Sequence, residues 1–330
     1  MQYRKLGHTD IEVSVVAFGA WAIVGDATWG QQNREDAIAA IRAAYDSGVN
    51  FFDTAETYGN GESERILAEA LPDIRDNIVI ATKVSSQHFN PAQIRQSCEK
   101  SIKNLRTDHI DLLQLHWPQR DIPIGETVNT LDGLRKEGKI RAYGVSNFGE
   151  TSLAEILASG RTIASNQMAY NLLFRAIEFK ILPICREHNI ALLCYSTLMQ
   201  GLLTGKFKSA EEVPEGRART RLFSSARKLT RHATPGFENE TFRAIEQIRA
   251  VALELGLTMN VVSLAWLLAQ PGVTSTIAGA RNPDQAIANA RAGDLVLDPI
   301  IVRNLSIITD ALKQKLGTNA DMWQKESRVW

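Results

Sequence analysis

NFFDTAETY, residues Asn50–Tyr58, sets two phenylalanines, a carboxylate and a phenol in immediate succession. Phe51 and Phe52 end a short apolar run, and Asp53 and Tyr58 follow on its exit side. Parallel α/β folds carry their chemistry just beyond the carboxyl ends of buried strands. Two later runs end in the same manner, VIATK at Lys83 and DLLQLH at His116. Four proton-carrying groups therefore stand at or just past the ends of three consecutive strand-like runs.

The same unit extends in both directions. Residues 34–48 (REDAIAAIRAAYDSG) repeat apolar positions with a period near 3.6 and stop at Gly48, which predicts a helix ahead of the 50–53 strand. A helix over 63–71 follows it. Strands are expected at 78–83, 110–116, 139–145, 163–167, 190–195 and 274–278, with VSVVAFG (13–19) as the first. Helical patterns follow at 91–105 behind Asn90-Pro91, 126–137, 150–158, 178–188, 240–255, 258–269 and from Pro283. Regular alternation implies parallel strands and right-handed crossovers. Eight such units in about 270 residues predict a closed (β/α)8 TIM barrel rather than an open sheet. Residues 2–13 alternate around Gly7-His8-Thr9-Asp10, as in a hairpin capping the bottom of a barrel. Residues 20–33 and 196–239 read as irregular connections. An extra helix is expected over 301–316, before a tail holding Trp323 and Trp330. No shift of composition divides the chain, so 1–330 is read as one domain.

Bulk properties narrow the classes of function. The chain is 44% hydrophobic and 22% charged, with a formal net charge of +0. Nothing draws it toward nucleic acid or an acidic membrane. Cys98, Cys185 and Cys194 are odd in number and lack metal spacing, as expected of small core residues in a reducing compartment with no metal site. The start, MQYRKLGHTDIEVS, has no apolar signal core, and no run approaches the roughly 18 residues of a membrane span. The expected location is the cytoplasm. Gly59-Asn60-Gly61 begins like a dinucleotide fingerprint, but the third glycine is missing and no strand directly precedes it, which argues against a Rossmann domain.

A free tyrosine, with a pKa near 10, gives up its proton too reluctantly for neutral-pH chemistry. A neighbouring ammonium favours phenolate, and Lys83 can supply one. Asp53 is the natural counter-charge that keeps a partly desolvated lysine protonated. His116 can donate to a carbonyl oxygen. Any one of these residues alone is ordinarily half of an ion pair, a satisfied core histidine or a loop tyrosine. Together, at one end of neighbouring strands, they predict a general-acid site.

DTAETYGNGESE, IATK, LLQLHWP and IRAYGVSNF resemble, in that order, the signature segments of the aldo-keto reductase family. The similarity runs from the hairpin to the GAR segment at 279–281, and lies with the bacterial branch related to potassium-channel β subunits. It implies a (β/α)8 barrel that transfers hydride between NADPH, less often NADH, and a carbonyl or alcohol. It also implies Tyr58 as proton donor, Lys83 and Asp53 as its tuning pair, and His116 as the group that polarises the carbonyl.

Cofactor contacts are expected along the same mouth. Ser146, Asn147 and Gln167 close two strands and suit a carboxamide, although Asn147 also reads as a helix cap. Tyr195 can stack on a nicotinamide, with Trp21 and Asp53 nearby. The segment after it (Ser196, Leu198, Gln200, Gly201, Lys206) is where the resemblance places a pyrophosphate. GRARTR, 216–221, is either a solvated loop or a flap to which Arg221 or Arg219 contributes. Asn282 caps and Pro283 opens a helix behind Gly279-Ala280-Arg281, the usual barrel phosphate position. The planar fork of Arg281 suits a 2′-phosphate, favouring NADP(H) while leaving NAD(H) open. Gln285 and Asn289 share a helix face and suit ribose phosphate and adenine. Ala288 stands where the family usually has a glutamate. Trp21 and Trp117, beside Tyr58 and His116, are expected to contact substrate, with Trp29 and Trp323 either joining them or packing core. Gln119, Arg120 and Asp121 hint at a sugar-like substrate. The expected activity is reduction of an aldehyde, aldose or other carbonyl, with homo-oligomerisation left open. A nicotinamide-binding regulatory subunit of little turnover is the second reading. A lyase or isomerase barrel without nicotinamide is the third.

Overall fold

The structure, a computed structural model, describes all of residues 1–330. It opens on an antiparallel hairpin, β1 (Tyr3–Lys5) with β2 (Glu12–Ser14). Eight parallel strands follow: β3 (Val16–Gly19), β4 (Phe51–Asp53), β5 (Val79–Val84), β6 (Ile110–Leu115), β7 (Ile140–Ser146), β8 (Ser165–Ala169), β9 (Ala191–Tyr195) and β10 (Val273–Ala278). Each pairs with the next, and β10 returns to β3, so the barrel is closed. The outer ring is α1 (Arg34–Asp46), α2 (Glu62–Ala70), α3 (Pro91–Leu105), α4 (Ile124–Lys136), α5 (Glu150–Ala158), α6 (Ile181–Glu187), α7 (Glu238–Glu254), α8 (Met259–Leu268) and α9 (Pro283–Ala290), with α10 (Pro299–Leu316) added behind it.

The period of two in a strand decides which side chains meet. Phe52 faces the large core between strands and helices, whereas Phe51 faces the barrel interior with Val79, Ala81, Leu112 and Leu193. Asp53, two residues past Phe51, is therefore inward. The same parity sends Lys83 inward after Ala81, Gln114 after Leu112, and Tyr195 after Leu193. The amino half of the interior is thus apolar, and a polar layer lies above it.

The hairpin closes the apolar end. Leu6, Ile11 and Val13 belong to the same interior cluster, so the predicted cap is present. Gly7 makes the fit possible. Its φ is +58°, and a Cβ there would run into the Ala164 carbonyl oxygen and lie 2.9 Å from that of Asn189.

Several boundaries differ from the sequence expectation. The apolar run 13–19 is not one strand: Val13 and Ser14 finish the hairpin, and Val16–Gly19 alone joins the barrel. Asn50 marks the break, its Oδ1 accepting from Ser14 N at 2.7 Å. The sixth barrel strand begins at Ser165, later than expected. The helix expected over 178–188 splits into a short 3-10 turn, Ala176–Phe179, and α6. No single helix is long and apolar enough to cross a membrane; the apolar α8 is buried along its length.

The tail beyond α10 folds back over the carboxyl end of the barrel. Ser152 N and Oγ donate to the Trp330 carbonyl oxygen at 3.0 and 2.7 Å, and the Arg120 guanidinium lies 4.3 Å from the Trp330 ring centroid. Arg221 serves this tail. Its guanidinium donates to the carbonyl oxygens of Leu316 (2.8 Å), Asn319 (3.0 Å) and Asp321 (3.3 Å). The expectation that Arg221 contributes to a cofactor flap is therefore corrected: its donors are spent on backbone acceptors that would otherwise be left unpaired.

Candidate active site

A cavity of about 800 Å³ opens at the carboxyl ends of the strands. Asp53, Tyr58, His116, Ser146, Asn147, Gln167 and Tyr195 line its floor. Lys83 lies behind that floor, fully buried; its Nζ donates to Asp53 Oδ1 at 2.6 Å and to the Thr54 carbonyl at 2.8 Å. Asp53 Oδ2 accepts from Gln167 Nε2 at 2.7 Å and Gln114 Nε2 at 3.3 Å. The ion pair is thus sealed by neutral donors, which makes a buried charge tolerable. Tyr58 enters from the loop after β4. Lys83 Nζ lies 5.1 Å from its ring centroid, and the His116 ring meets it edge-on at 5.9 Å. The four groups expected at one barrel mouth do converge there.

Their proton affinities depart from the sequence argument in one respect. Burial, and then the charge of Asp53, push the Tyr58 phenol well above its ordinary value, so it keeps its proton. Lys83 does not overcome this because its ammonium is neutralised by Asp53. Burial also lowers Lys83 itself, against the opposing pull of Asp53. Burial, and then Lys83, push the His116 imidazole from 6.5 down to about 3. His116 is therefore a neutral hydrogen-bonding group at working pH. Because its folded pKa lies below the unfolded one, the unfolded chain binds the proton first as acid is added. Stability is expected to fall as pH drops from about 6.5 toward 3, and His116→Gln is expected to flatten that part of the curve. Urea midpoints against pH measure it; identical slopes in both proteins would contradict it.

Beside these four groups, Asn147 adopts a left-handed φ of +64°. Its Nδ2 donates to the His116 carbonyl (3.1 Å) and to Ser146 Oγ (3.1 Å), and its Oδ1 accepts from Tyr195 Oη (2.8 Å). It does not cap α5, where Gly149 is the N-cap with no side-chain bond. Ser146, Asn147, Gln167 and Tyr195 thus form one polar ledge along the cavity.

The rest of the lining carries cations. Ser196, Leu198, Gln200, Gly201, Lys206, Gly279, Arg281, Gln285 and Asn289 all belong to it, with Ala288 between the last two. Both polar atoms of Gln200 are buried without partners, as are the Nε atoms of Arg217 and Arg219. Gly201 has φ +97°, a backbone conformation that residues with a Cβ rarely adopt, so glycine lets the loop turn here beside the Lys206 amine. Burial, then Arg217 and Arg281, hold the Lys206 amine down at about 8. Burial, then Arg281, lower Arg217 as well. These cations repel one another and none of them forms an ion pair, although Asp284 also lines the cavity; such a cluster suits an anion.

Arg281 is not the free fork expected from sequence. Its guanidinium donates to Gln32 Oε1 (2.6 Å), to the Trp29 carbonyl (2.8 Å) and to the Gln31 carbonyl. It ties the 29–32 loop down over the cavity while adding its charge to the wall. Asn282 caps α9 by accepting from Gln285 N, with Pro283 at the first position, as expected. Gln285 Oε1 accepts from Arg281 N, and Asn289 bonds to the Gly279 carbonyl and to Asn260.

All four tryptophans proposed for the pocket, Trp21, Trp29, Trp117 and Trp323, line the cavity. Trp21 lies 6.0 Å from Tyr58, stacked, and 5.4 Å from Trp29, edge-on. Arg217, Arg231, Arg328 and Asn260 also line it and were not singled out from the sequence. GRARTR signalled arginines. It could not tell that the chain turns at Thr220–Phe223, where Phe223 N bonds to the Thr220 carbonyl, and parts Arg221 from Arg217 and Arg219.

A barrel with this tetrad at its mouth defines a class of oxidoreductase, and the comparisons agree. The model of the Aldo/keto reductase family matches residues 15–309, and the chain belongs to that family. Aldo-keto reductase YhdN of Bacillus subtilis is 36% identical over 303 residues, covering 86% of each chain. The NADH-specific methylglyoxal reductase of Escherichia coli is 31% identical over 337 residues, covering 95% of this chain and 100% of that one. An aldo-keto reductase from Klebsiella pneumoniae, solved in complex with NADPH, superposes with a TM-score of 0.75 at 28% identity, covering 94% and 96%.

Proposed function

We propose that this chain is an NADP(H)-dependent carbonyl reductase acting on an aldehyde, aldose or similar small carbonyl compound. One observation carries the reading: a single cavity joins a proton-holding phenol at its floor to a cluster of cations that form no ion pair. A bound nicotinamide would supply hydride. The ledge of Ser146, Asn147, Gln167 and Tyr195 offers the polar groups and the ring that would hold and face it. The wall of Gln200, Lys206 and Arg217 offers donors without acceptors where phosphates would lie.

The chain's own residues supply the rest. Tyr58 Oη gives its proton to the carbonyl oxygen as negative charge develops there. An alkoxide is more basic than a phenolate, so the transfer runs downhill even from a phenol of raised pKa. Neutral His116 donates a hydrogen bond to the same oxygen, in a site that needs no reorganisation. Lys83 and Asp53 hold the loop of Tyr58 and set the local potential. Trp21 and Trp117 exclude water from the reacting atoms.

One relative named above is described as NADH-specific and the other was solved in complex with NADPH, so preference rests on the wall. Three cations there support the extra phosphate of NADPH. Arg281→Ala is expected to raise the KM for NADPH about tenfold and that for NADH less than about threefold. An equal rise for both would leave Arg281 as a loop clamp only. The reading itself is tested by following the absorbance of reduced nicotinamide with a panel of aldehydes, sugars and ketones and each coenzyme. Tight NADPH binding without turnover on any carbonyl would favour the regulatory-subunit reading, against which the intact tetrad now stands.

A further inference from the structure

The cavity holds two groups of cations. Lys206, Arg217 and Arg281 act on one another at one end. Arg219 and Arg231 act on one another as a second group, and Arg328 also lines the cavity. Arg328 is matched: Asp321 accepts from its Nε at 2.7 Å and its Nη2 at 3.1 Å, and its guanidinium lies 3.9 Å from the Trp117 ring centroid. Arg219 is not matched. None of its donors has an acceptor, and its Nε is buried. The carboxylate that acts on it, Asp26, already accepts from Trp21 Nε1 (3.1 Å), Thr28 N (2.8 Å) and Trp29 N (2.9 Å).

The placement of Arg219 is specific. Its guanidinium lies between two indoles, 5.9 Å from the Trp21 ring centroid and 5.0 Å from that of Trp323. Trp21 in turn stacks on Tyr58. The arginine is therefore one indole away from the proton donor, in the same cavity. A planar cation held between aromatic faces has little rotational freedom left to lose, so its fork is ready for a two-oxygen acceptor. Arg231 adds a second positive charge beside it.

We propose that Arg219 is a specificity-determining residue that selects carbonyl substrates carrying an anionic group, a carboxylate or a phosphate ester, which reaches past Trp21 while the carbonyl lies at Tyr58 and His116. This rests on the carbonyl-reductase reading above and narrows its substrate class. Hydride and proton go to the carbonyl carbon and oxygen, the nicotinamide is oxidised, and the anionic group is unchanged.

The test compares matched pairs with NADPH: 4-oxobutanoate against butanal, and glyceraldehyde 3-phosphate against glyceraldehyde. The wild-type protein is expected to favour at least one anionic member in kcat/KM by about 10- to 100-fold. Arg219→Gln is expected to bring that ratio near one, mainly through KM, and Arg219→Lys to restore part of it. A fluorescence titration with NADPH, which also reports folding, is expected to shift less than about threefold. Loss of preference in the phosphate pair alone, or in the carboxylate pair alone, identifies the anion and supports the proposal. Neutral carbonyls reduced as well as anionic ones, a ratio unchanged in Arg219→Gln, or NADPH binding weakened as much as KM, each overturns it and leaves the carbonyl-reductase reading standing. Failure to reduce any carbonyl removes that reading, and this one with it.

Discussion

Tyr58→Phe is expected to lower kcat by about 10²- to 10⁴-fold while leaving NADPH binding within about threefold of the wild-type value. The substitution deletes one hydroxyl and keeps the ring that meets Trp21 and His116. That hydroxyl has no hydrogen-bond partner in the protein, so its loss strands no buried donor or acceptor, and stability is expected to stay within about 0.5 kcal/mol. The change thus isolates proton delivery from binding and from folding. Single-turnover absorbance changes with saturating coenzyme measure it. Wild-type turnover in the variant would remove Tyr58 as the acid. Because His116 stays neutral far below working pH, no limb of the rate profile between about pH 5 and 9 is assigned to it.

Lys83→Met is expected to damage both fold and rate. The ammonium is the sole cation against Asp53, and the pair is almost wholly inaccessible, with side-chain exposures of 0% and 4%. Removing it leaves a buried carboxylate held by Gln114 and Gln167 alone. Breaking such a pair costs about 3–5 kcal/mol, most of it the penalty of the stranded charge. The same stranded charge, no longer neutralised, acts more strongly on the Tyr58 phenol and raises it further, so kcat is expected to fall by at least about 10²-fold. Adding Asp53→Asn should recover much of the stability, because the uncompensated charge is gone, but not the rate. Chemical denaturation of the single and double variants decides the first point. A rate and pH profile unchanged in Lys83→Met would refute the second.

Much of the architecture was legible because it rests on local signals. Apolar periods, Asn90-Pro91 and Asn282-Pro283 mark where helices begin, and strand-end residues repeat at regular spacing. Alternation between strands and helices leaves few topologies, and a closed parallel barrel is the economical one. Boundaries slipped where a run of apolar residues spans two elements. Val13 and Val16 look alike in sequence, yet one plugs the barrel and the other builds its wall.

The amino-acid sequence by itself determined the barrel, its hairpin plug, and the convergence of Asp53, Tyr58, Lys83 and His116, since strand parity and position follow from near neighbours in the chain. Tertiary structure alone decided how charge is spent. It buried the Lys83–Asp53 pair expected from sequence almost completely, so that burial governs the Tyr58 phenol. It gave Arg221 to the carbonyls of a tail about a hundred residues away and Arg281 to a loop some 250 residues away, while Arg219 kept its donors free between two indoles. A side chain's partner depends on which distant backbone and which buried surface it meets, and no spacing along the chain encodes that.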